Sequence, residues 1–393
     1  MDLCKSLRVF CLPFGQKPMR SDGGIGYANL MEPILSHTSA LQFHRTPPIV
    51  HELVESYPSL LTGNDKRRLV RMEYPFGAIE KPLHLLVPEK RLVHASSLCV
   101  YHSWTRRLPT GAIEETDYSL SVTSPLFTAI CLASVIPTVE LTMLIHELVG
   151  TFSVYRPPRE IREELQRLVD ASRLPIVDGW RPSLDTEGKL TDLWQRPPLL
   201  TIDELHDLAL EMQNCTGVHK LNQALKDVHG IASSPLEVQS SMLLGMSRRK
   251  GGWGMGPFEH NKCIVLSRRT RTIARQNVCT IDLYIEGNEY HGPIAIECQG
   301  GPFHDGNDRA AHDDNRALAL QSMGITLIRL RGDQIYDAKR LEYVAAFLTK
   351  LLNKPQKAKS ASLKKKELEL RASVLIDWWT LGSYSVKRAP QFR

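Results

Sequence analysis

The sequence predicts an α/β chain in two domains, and three observations carry that prediction. Short β-type runs that alternate in period two recur among segments that open with helix caps. At 393 residues the chain is long enough to bury two cores. A proline-rich stretch over 152–200, holding Pro157-Pro158, Pro175, Pro182 and Pro197-Pro198, separates the halves. Hydrophobic content of 42% and charged content of 23% suit a globular protein. With no apolar run long enough to span a bilayer, neither a transmembrane helix nor a membrane partner is expected.

The N-terminus has an acidic second residue and a short apolar run, which reads as a strand over 7–12 and not as a signal peptide. A Gly-rich loop follows over 14–27. Leu35-Ser36-His37-Thr38-Ser39-Ala40-Leu41 opens a helix that Ser36 can cap and Pro47-Pro48 ends. Leu92-Val93-His94-Ala95-Ser96-Ser97-Leu98 echoes it weakly, but two copies do not make a solenoid. Asp65-Lys66-Arg67-Arg68 reads as a solvated face. Thr123 or Ser124 caps a further helix, Pro125 fits its first turn, and residues 130–135 supply its core face. The proline-rich stretch reads as a connection carrying one exposed helix over 158–174. Helices over 202–214 and 218–228 follow, the second stopped by Gly230 in a left-handed conformation.

Ser234-Pro235-Leu236-Glu237 has the spacing of a capping box, with Pro at the first helical position. Glu237 therefore has two readings, a helix cap or a carboxylate delivered to a site beside the central strands. Arg248-Arg249-Lys250 leads into Gly251-Gly252-Trp253-Gly254, which is no phosphate loop because no strand precedes it and no GK[ST] follows. It reads either as a solvent loop or as a mobile loop at a nucleic-acid groove, its cations on phosphates and Trp253 as a stacking face. Arg268, Arg269, Arg271 and Arg275 add positive charge that can steer a polyanion.

Ile281-Asp282-Leu283-Tyr284-Ile285 and Ile294-Ala295-Ile296-Glu297-Cys298 are the most informative strands, joined by a turn through Gly287-Asn288. Alternation sends Ile281, Leu283 and Ile285 to one face and Asp282 and Tyr284 to the other, and Glu297 shares its face with Gln299. If the strands pair, Asp282, Glu297 and Gln299 converge on one side. Oxygen donors so placed suit Mg²⁺ or Mn²⁺. Asp313 and Arg316 then lie on a helix, Leu320 and Gly324 mark its packing and end, and a strand follows over 325–330.

An Asp, a hairpin, Glu-x-Gln, His304 after a Gly-Gly turn, the Asp313/Arg316 helix and an upstream Ser-Pro-x-Glu together resemble the PD-(D/E)xK nuclease superfamily, in the branch related to very-short-patch-repair (Vsr-like) endonucleases. The resemblance covers about 205–352 and implies a restriction-endonuclease-like mixed sheet flanked by helices, preceded by a separate α/β N-terminal domain. It implies Mg²⁺-dependent cleavage of DNA, with Glu237, Asp282, Glu297, Gln299 and His304 as catalytic residues and Asp282 and Glu297 on the metal. Arg248, Arg249, Lys250, Arg268, Arg269 and Arg316 would contact nucleic acid. His304 is read as water-activating base, phosphate contact or surface histidine. Gln299 stands where many relatives keep Lys, so His304, Arg316 or a second metal must offset the missing charge. Residues 93–151 resemble an AbiEi-like antitoxin module, which implies a toxin–antitoxin or defence-system partner. The alternative function is a non-catalytic, DNA-binding or antitoxin-like regulator that retains the nuclease fold.

The expected organisation is an N-terminal α/β domain over 1–200, the endonuclease-like domain over 201–353 and a basic tail over 354–393. Ten of the 49 Lys/Arg and three of the 43 Asp/Glu lie in that tail, enough to account for the net charge of +6. Such a tail binds phosphate backbones or simply solubilises. Its Leu375-Ile376, Trp378-Trp379 and Tyr384 predict that part of it docks on the body or stacks on a partner. The eight cysteines form no CxxC pair, which argues against structural zinc and for small buried side chains in a reducing cytosol. Double-strand cleavage would favour a homodimer.

Overall fold

The structure is a computed structural model that describes residues 34–53, 79–89, 97–116, 118, 120–300, 307–354 and 358–383, with the side chains of 307–313 left out. The expected strand over 7–12, the loop over 14–27, Asp65–Arg68, most of the echo at 92–98, His304 and Tyr384 lie outside these residues.

The first layer comprises β1 (Ile34–Leu35), α1 (His37–Arg45), α2 (Pro48–Leu53), β2 (Leu83–Val87), β3 (Cys99–Ser103), β4 (Ile113–Glu115) and β5 (Ser121–Thr123). Its sheet runs β3-β2-β1-β5-β4 and mixes parallel and antiparallel pairs. Ser36 holds the N-cap position of α1 without a side-chain cap bond. Next come α3 (Pro125–Val135) and α4 (Thr138–Val149). The expected cap is present in α3: the Ser124 hydroxyl accepts from the Phe127 N–H, and Pro125 opens the helix.

Residues 152–200 are more than a connection. They form β6 (Phe152–Val154), α5 (Arg159–Asp170), β7 (Arg181–Leu184) and β8 (Leu190–Gln195), with an antiparallel sheet in the order β6-β8-β7. Pro182 is tolerated because β7 is an edge strand. Tyr155, Leu165, Trp180 and Trp194 supply the core that makes this piece fold. The helix α5 is exposed as expected, with Leu165 its buried residue.

The second half follows as α6 (Ile202–Glu211), α7 (Val218–Leu225), α8 (Pro235–Gly245), β9 (Glu259–Val265), α9 (Arg268–Ala274), β10 (Val278–Ile285), β11 (Ile294–Gln299), α10 (Asn307–Ser322), β12 (Thr326–Arg331), α11 (Gly332–Tyr336), α12 (Ala338–Leu351) and α13 (Ala361–Val374). The helix α7 ends at Leu225, before the expected stop. Gly230 is left-handed at φ +83° but bridges to His260, where a Cβ would meet the His260 carbonyl oxygen at 3.0 Å. The sheet runs β12-β11-β10-β9, antiparallel at β9/β10 and β10/β11 and parallel at β11/β12. One apolar cluster, with Leu283, Ile294 and Ile296, joins the sheet to α8. The other, with Tyr284, Ala295, Ala319 and Leu320, joins it to α9 and α10. Ile281 joins the second cluster, not Leu283 and Ile285 in the first, so strict alternation fails at Asp282.

The largest core runs across the boundary near residue 200, from Leu41, Phe127 and Leu144 through Leu221, Val238 and Ile296 to Val374 and Leu381. Part of the basic tail docks on the body as its apolar residues predict. Trp378 and Trp379 are buried, and the Trp378 indole donates to Glu147 Oε2 at 2.7 Å. Arg45 grips both oxygens of Glu147 at 2.6–2.9 Å and donates to the Trp379 and Leu381 carbonyls. Buried charge persists only when paired and hydrogen-bonded, and this pair ties the first helix to the last residues described.

No helix among the described residues is long and apolar enough to cross a membrane. Of the six described cysteines, all free thiols, only Cys131 and Cys279 are buried, fewer than expected. Cys263 lies exposed on the edge strand β9, where alternate residues face solvent.

Candidate active site

Asp282 lies within β10, where the pairing on both sides is interrupted. β9 pairs through Ile281↔Lys262 and Leu283↔His260, and β11 through Leu283↔Ile296. Continued by one residue, these registers set Asn261 on one side of Asp282 and Glu297 on the other. Asn261 adopts a left-handed backbone at φ +48°, which a short polar side chain tolerates better than most. On the other side Asp282 Oδ2 accepts the Cys298 N–H at 2.7 Å, so a carboxylate replaces a ladder acceptor. The local departure from a regular ladder accounts for the change of side at Ile281.

Glu237 reaches this region from the first turn of α8. The Ser234 hydroxyl accepts from the Glu237 N–H at 3.3 Å, which is half of the expected box. The other half differs: Glu237 Oε2 accepts the N–H of Ser233 at 2.8 Å, and Oε1 accepts from the Ser234 hydroxyl at 2.8 Å. Asn261 Nδ2 also donates to Oε2, at 3.0 Å, and to the Ile231 carbonyl at 2.7 Å. Glu237 thus caps the helix and faces the strands. It is 5% exposed, and burial together with the negative charge of Asp282 lifts its pKa to about 7 against the pull of those hydrogen bonds. Burial raises Asp282 as well, opposed by the Cys298 N–H and the Arg316 charge.

Arg316 projects from α10 and sets Nη2 2.6 Å from Glu297 Oε1 while donating to the Thr280 carbonyl. The parallel register places Arg329 beside Glu297 and Arg331 beside Gln299. The structure therefore sets Asp282 within electrostatic reach of Glu237, from α8, and of Arg316, which holds Glu297 on the α10 face of the sheet; Gln299 follows Glu297 on β11. Asn261, on Glu237, and Arg329, beside Glu297, join them and were not anticipated, whereas Arg331 pairs with Asp333. The sequence offered only a faint signal for Asn261, a small amide inside a short alternating run. Arg329 and Arg331 alternate on a visible strand, but nothing in the sequence says which neighbour they face.

The other basic residues are not at this cluster. Arg248–Lys250 form a 3₁₀ turn after the C-terminal end of α8, roughly 15 Å along the helix from Glu237. Lys250 pairs with Asp227, the Trp253 ring carries Lys359 Nζ at 3.2 Å, and Lys354 Nζ donates to the Gly254 carbonyl at 2.8 Å. The segment read as a solvent loop or a mobile groove loop is thus packed against the C-terminal helix, with Lys359 over the Trp253 ring. Arg268 and Arg269 open α9 beyond the far end of β9, about 13 Å along the strand from Asn261, and are exposed.

Among the described residues no three His, Cys, Asp or Glu side chains form a cation cage. Asp282, beside the buried Glu237, and Glu297, held by Arg316, nevertheless offer hard carboxylate oxygens. Mg²⁺ characteristically takes one or two carboxylates and fills its shell with water and phosphate oxygens. The donor chemistry fits such an ion. Comparison with protein-family models, with curated proteins and with solved structures found no match to this chain.

Proposed function

We propose that this chain is a metal-dependent endodeoxyribonuclease whose site is built on Asp282, Glu297, Glu237 and Gln299. The observation that carries the reading is Asp282, within electrostatic reach of Glu237 on one side and, on the other, of Arg316, which grips Glu297. Acidic groups alone repel DNA, whereas acids flanked by cations suit a phosphodiester. Asp282 and Glu297 would hold Mg²⁺ or Mn²⁺, which when bound polarises the scissile phosphate and acidifies a water. Arg316, with Arg329, neutralises phosphate oxygens in the place of the Lys that Gln299 replaces. Glu237, with a pKa of about 7, exchanges a proton near neutral pH and can accept one from the attacking water.

A second reading, a non-catalytic DNA-binding regulator, is favoured by one observation: Arg316 already engages Glu297 as a cation would. Calorimetric titration with Mn²⁺ and Mg²⁺, run beside a plasmid-nicking assay, separates the two. Nicking by wild type that disappears, together with metal binding, in Asp282→Ala and Glu297→Ala supports the nuclease. Wild type that retards DNA but neither binds metal nor nicks sinks it in favour of the regulator.

A further inference from the structure

A cavity of about 510 Å³ opens in the N-terminal half, far in sequence from the acidic cluster, and its walls come from α1, β3, α3 and the segment between α6 and α7. Its chemistry is one-sided. Arg106 is its one cation, and no carboxylate appears among the described lining residues. The Arg106 guanidinium rests on the Cys215 sulfur at 3.3 Å and has no carboxylate partner among the described residues. The Trp104 indole adds an aromatic edge to the same lining, its N–H shielded from the open space.

His37, Tyr101, His102 and Trp104 make part of the lining aromatic. The imidazole rings of His37 and His102 stack with centroids 3.6 Å apart, and His84 Nδ1 lies 2.9 Å from His102 Nε2 in a hydrogen bond. Burial keeps all three rings neutral, with His84 and His102 lowered to about 4. His37, the first residue of α1, holds its ring there from a left-handed backbone at φ +49°. A strained non-glycine residue that shapes a cavity wall points to use of that wall.

We propose that this cavity binds a small planar organic anion, its carboxylate or phosphate met by Arg106 and its flat body laid on the imidazole of His102, which His37 backs. The site stands independently of the nuclease reading, since it shares no residue with it. A guanidinium without a carboxylate partner selects for negative charge, and the imidazole face selects for a planar body.

Isothermal titration of the full chain tests this with phenyl phosphate, benzoate, inorganic phosphate and benzylamine. Phenyl phosphate or benzoate binds, inorganic phosphate binds more weakly for want of the ring, and benzylamine does not bind. The stronger of the two aryl anions identifies the acidic group preferred. Arg106→Gln, at an exposed position that leaves folding intact, weakens the aryl anion about tenfold or more. Absence of binding by both aryl anions, equal binding of benzylamine, or an unchanged affinity in Arg106→Gln overturns the proposal.

Discussion

Replacing Glu237 by Gln tests the electrostatics of the acidic cluster without removing its shape. The folded pKa of about 7 stands roughly 2.5 pH units above the ordinary glutamate value of 4.5, equivalent to about 3 kcal/mol. Below pH 4.5 the carboxyl is protonated in both states and nothing is lost. Between 4.5 and 7 the unfolded chain releases the proton while the folded chain retains it, so stability falls as pH rises. Above 7 the folded protein carries the whole cost of a buried anion. Gln keeps an oxygen for the Ser233 and Asn261 donors, and its amide can donate to a rotated Ser234 hydroxyl. Glu237→Gln should therefore match wild type near pH 4.5 and exceed it by up to about 3 kcal/mol at pH 8. Urea denaturation from pH 4.5 to 8 in chelator gives the difference directly, because other titrating groups cancel between the two proteins. Parallel curves, or a variant less stable at pH 8, would refute the assignment. In Mg²⁺ the gap should narrow, since a cation at Asp282 and Glu297 favours the ionised form of Glu237.

Asn261→Ala removes donors to Glu237 and Ile231 and leaves a Cβ-bearing residue in the left-handed region at φ +48°. A loss of about 2 kcal/mol is expected, larger at pH 8 than at pH 5 because ionised Glu237 loses a donor; equal losses at both pH values would contradict this. Arg45→Met strands Glu147, which is 1% exposed, and should cost about 3–5 kcal/mol in urea denaturation. The double variant Arg45→Met/Glu147→Gln should recover most of that loss; if it does not, Arg45 acts mainly through the Trp379 and Leu381 carbonyls.

Several elements were legible because their physics is local. The cap on α3 needs only Ser124 and Pro125, and the pairing of β10 with β11 follows from two alternating runs around a turn. Local reasoning failed at 152–200, where prolines suggested a connection although Trp180 and Trp194 had a core to build. At Arg248–Lys250 the sequence left a solvent loop and a phosphate contact both open, because what packs against the run, Asp227 and the C-terminal helix, lies elsewhere in the chain.

By itself the sequence determined the α/β class, the strands bearing Asp282 and Glu297, and the helix whose first turn holds Glu237, because caps and alternation are written in neighbouring residues. Only the tertiary structure decided that Asn261 breaks the ladder beside Asp282, that Arg316 engages Glu297, and that His37, His84 and His102 stack across two strands and a helix. Those contacts join residues distant in the chain, and burial, which sets their protonation, exists only once the core that links both halves has closed.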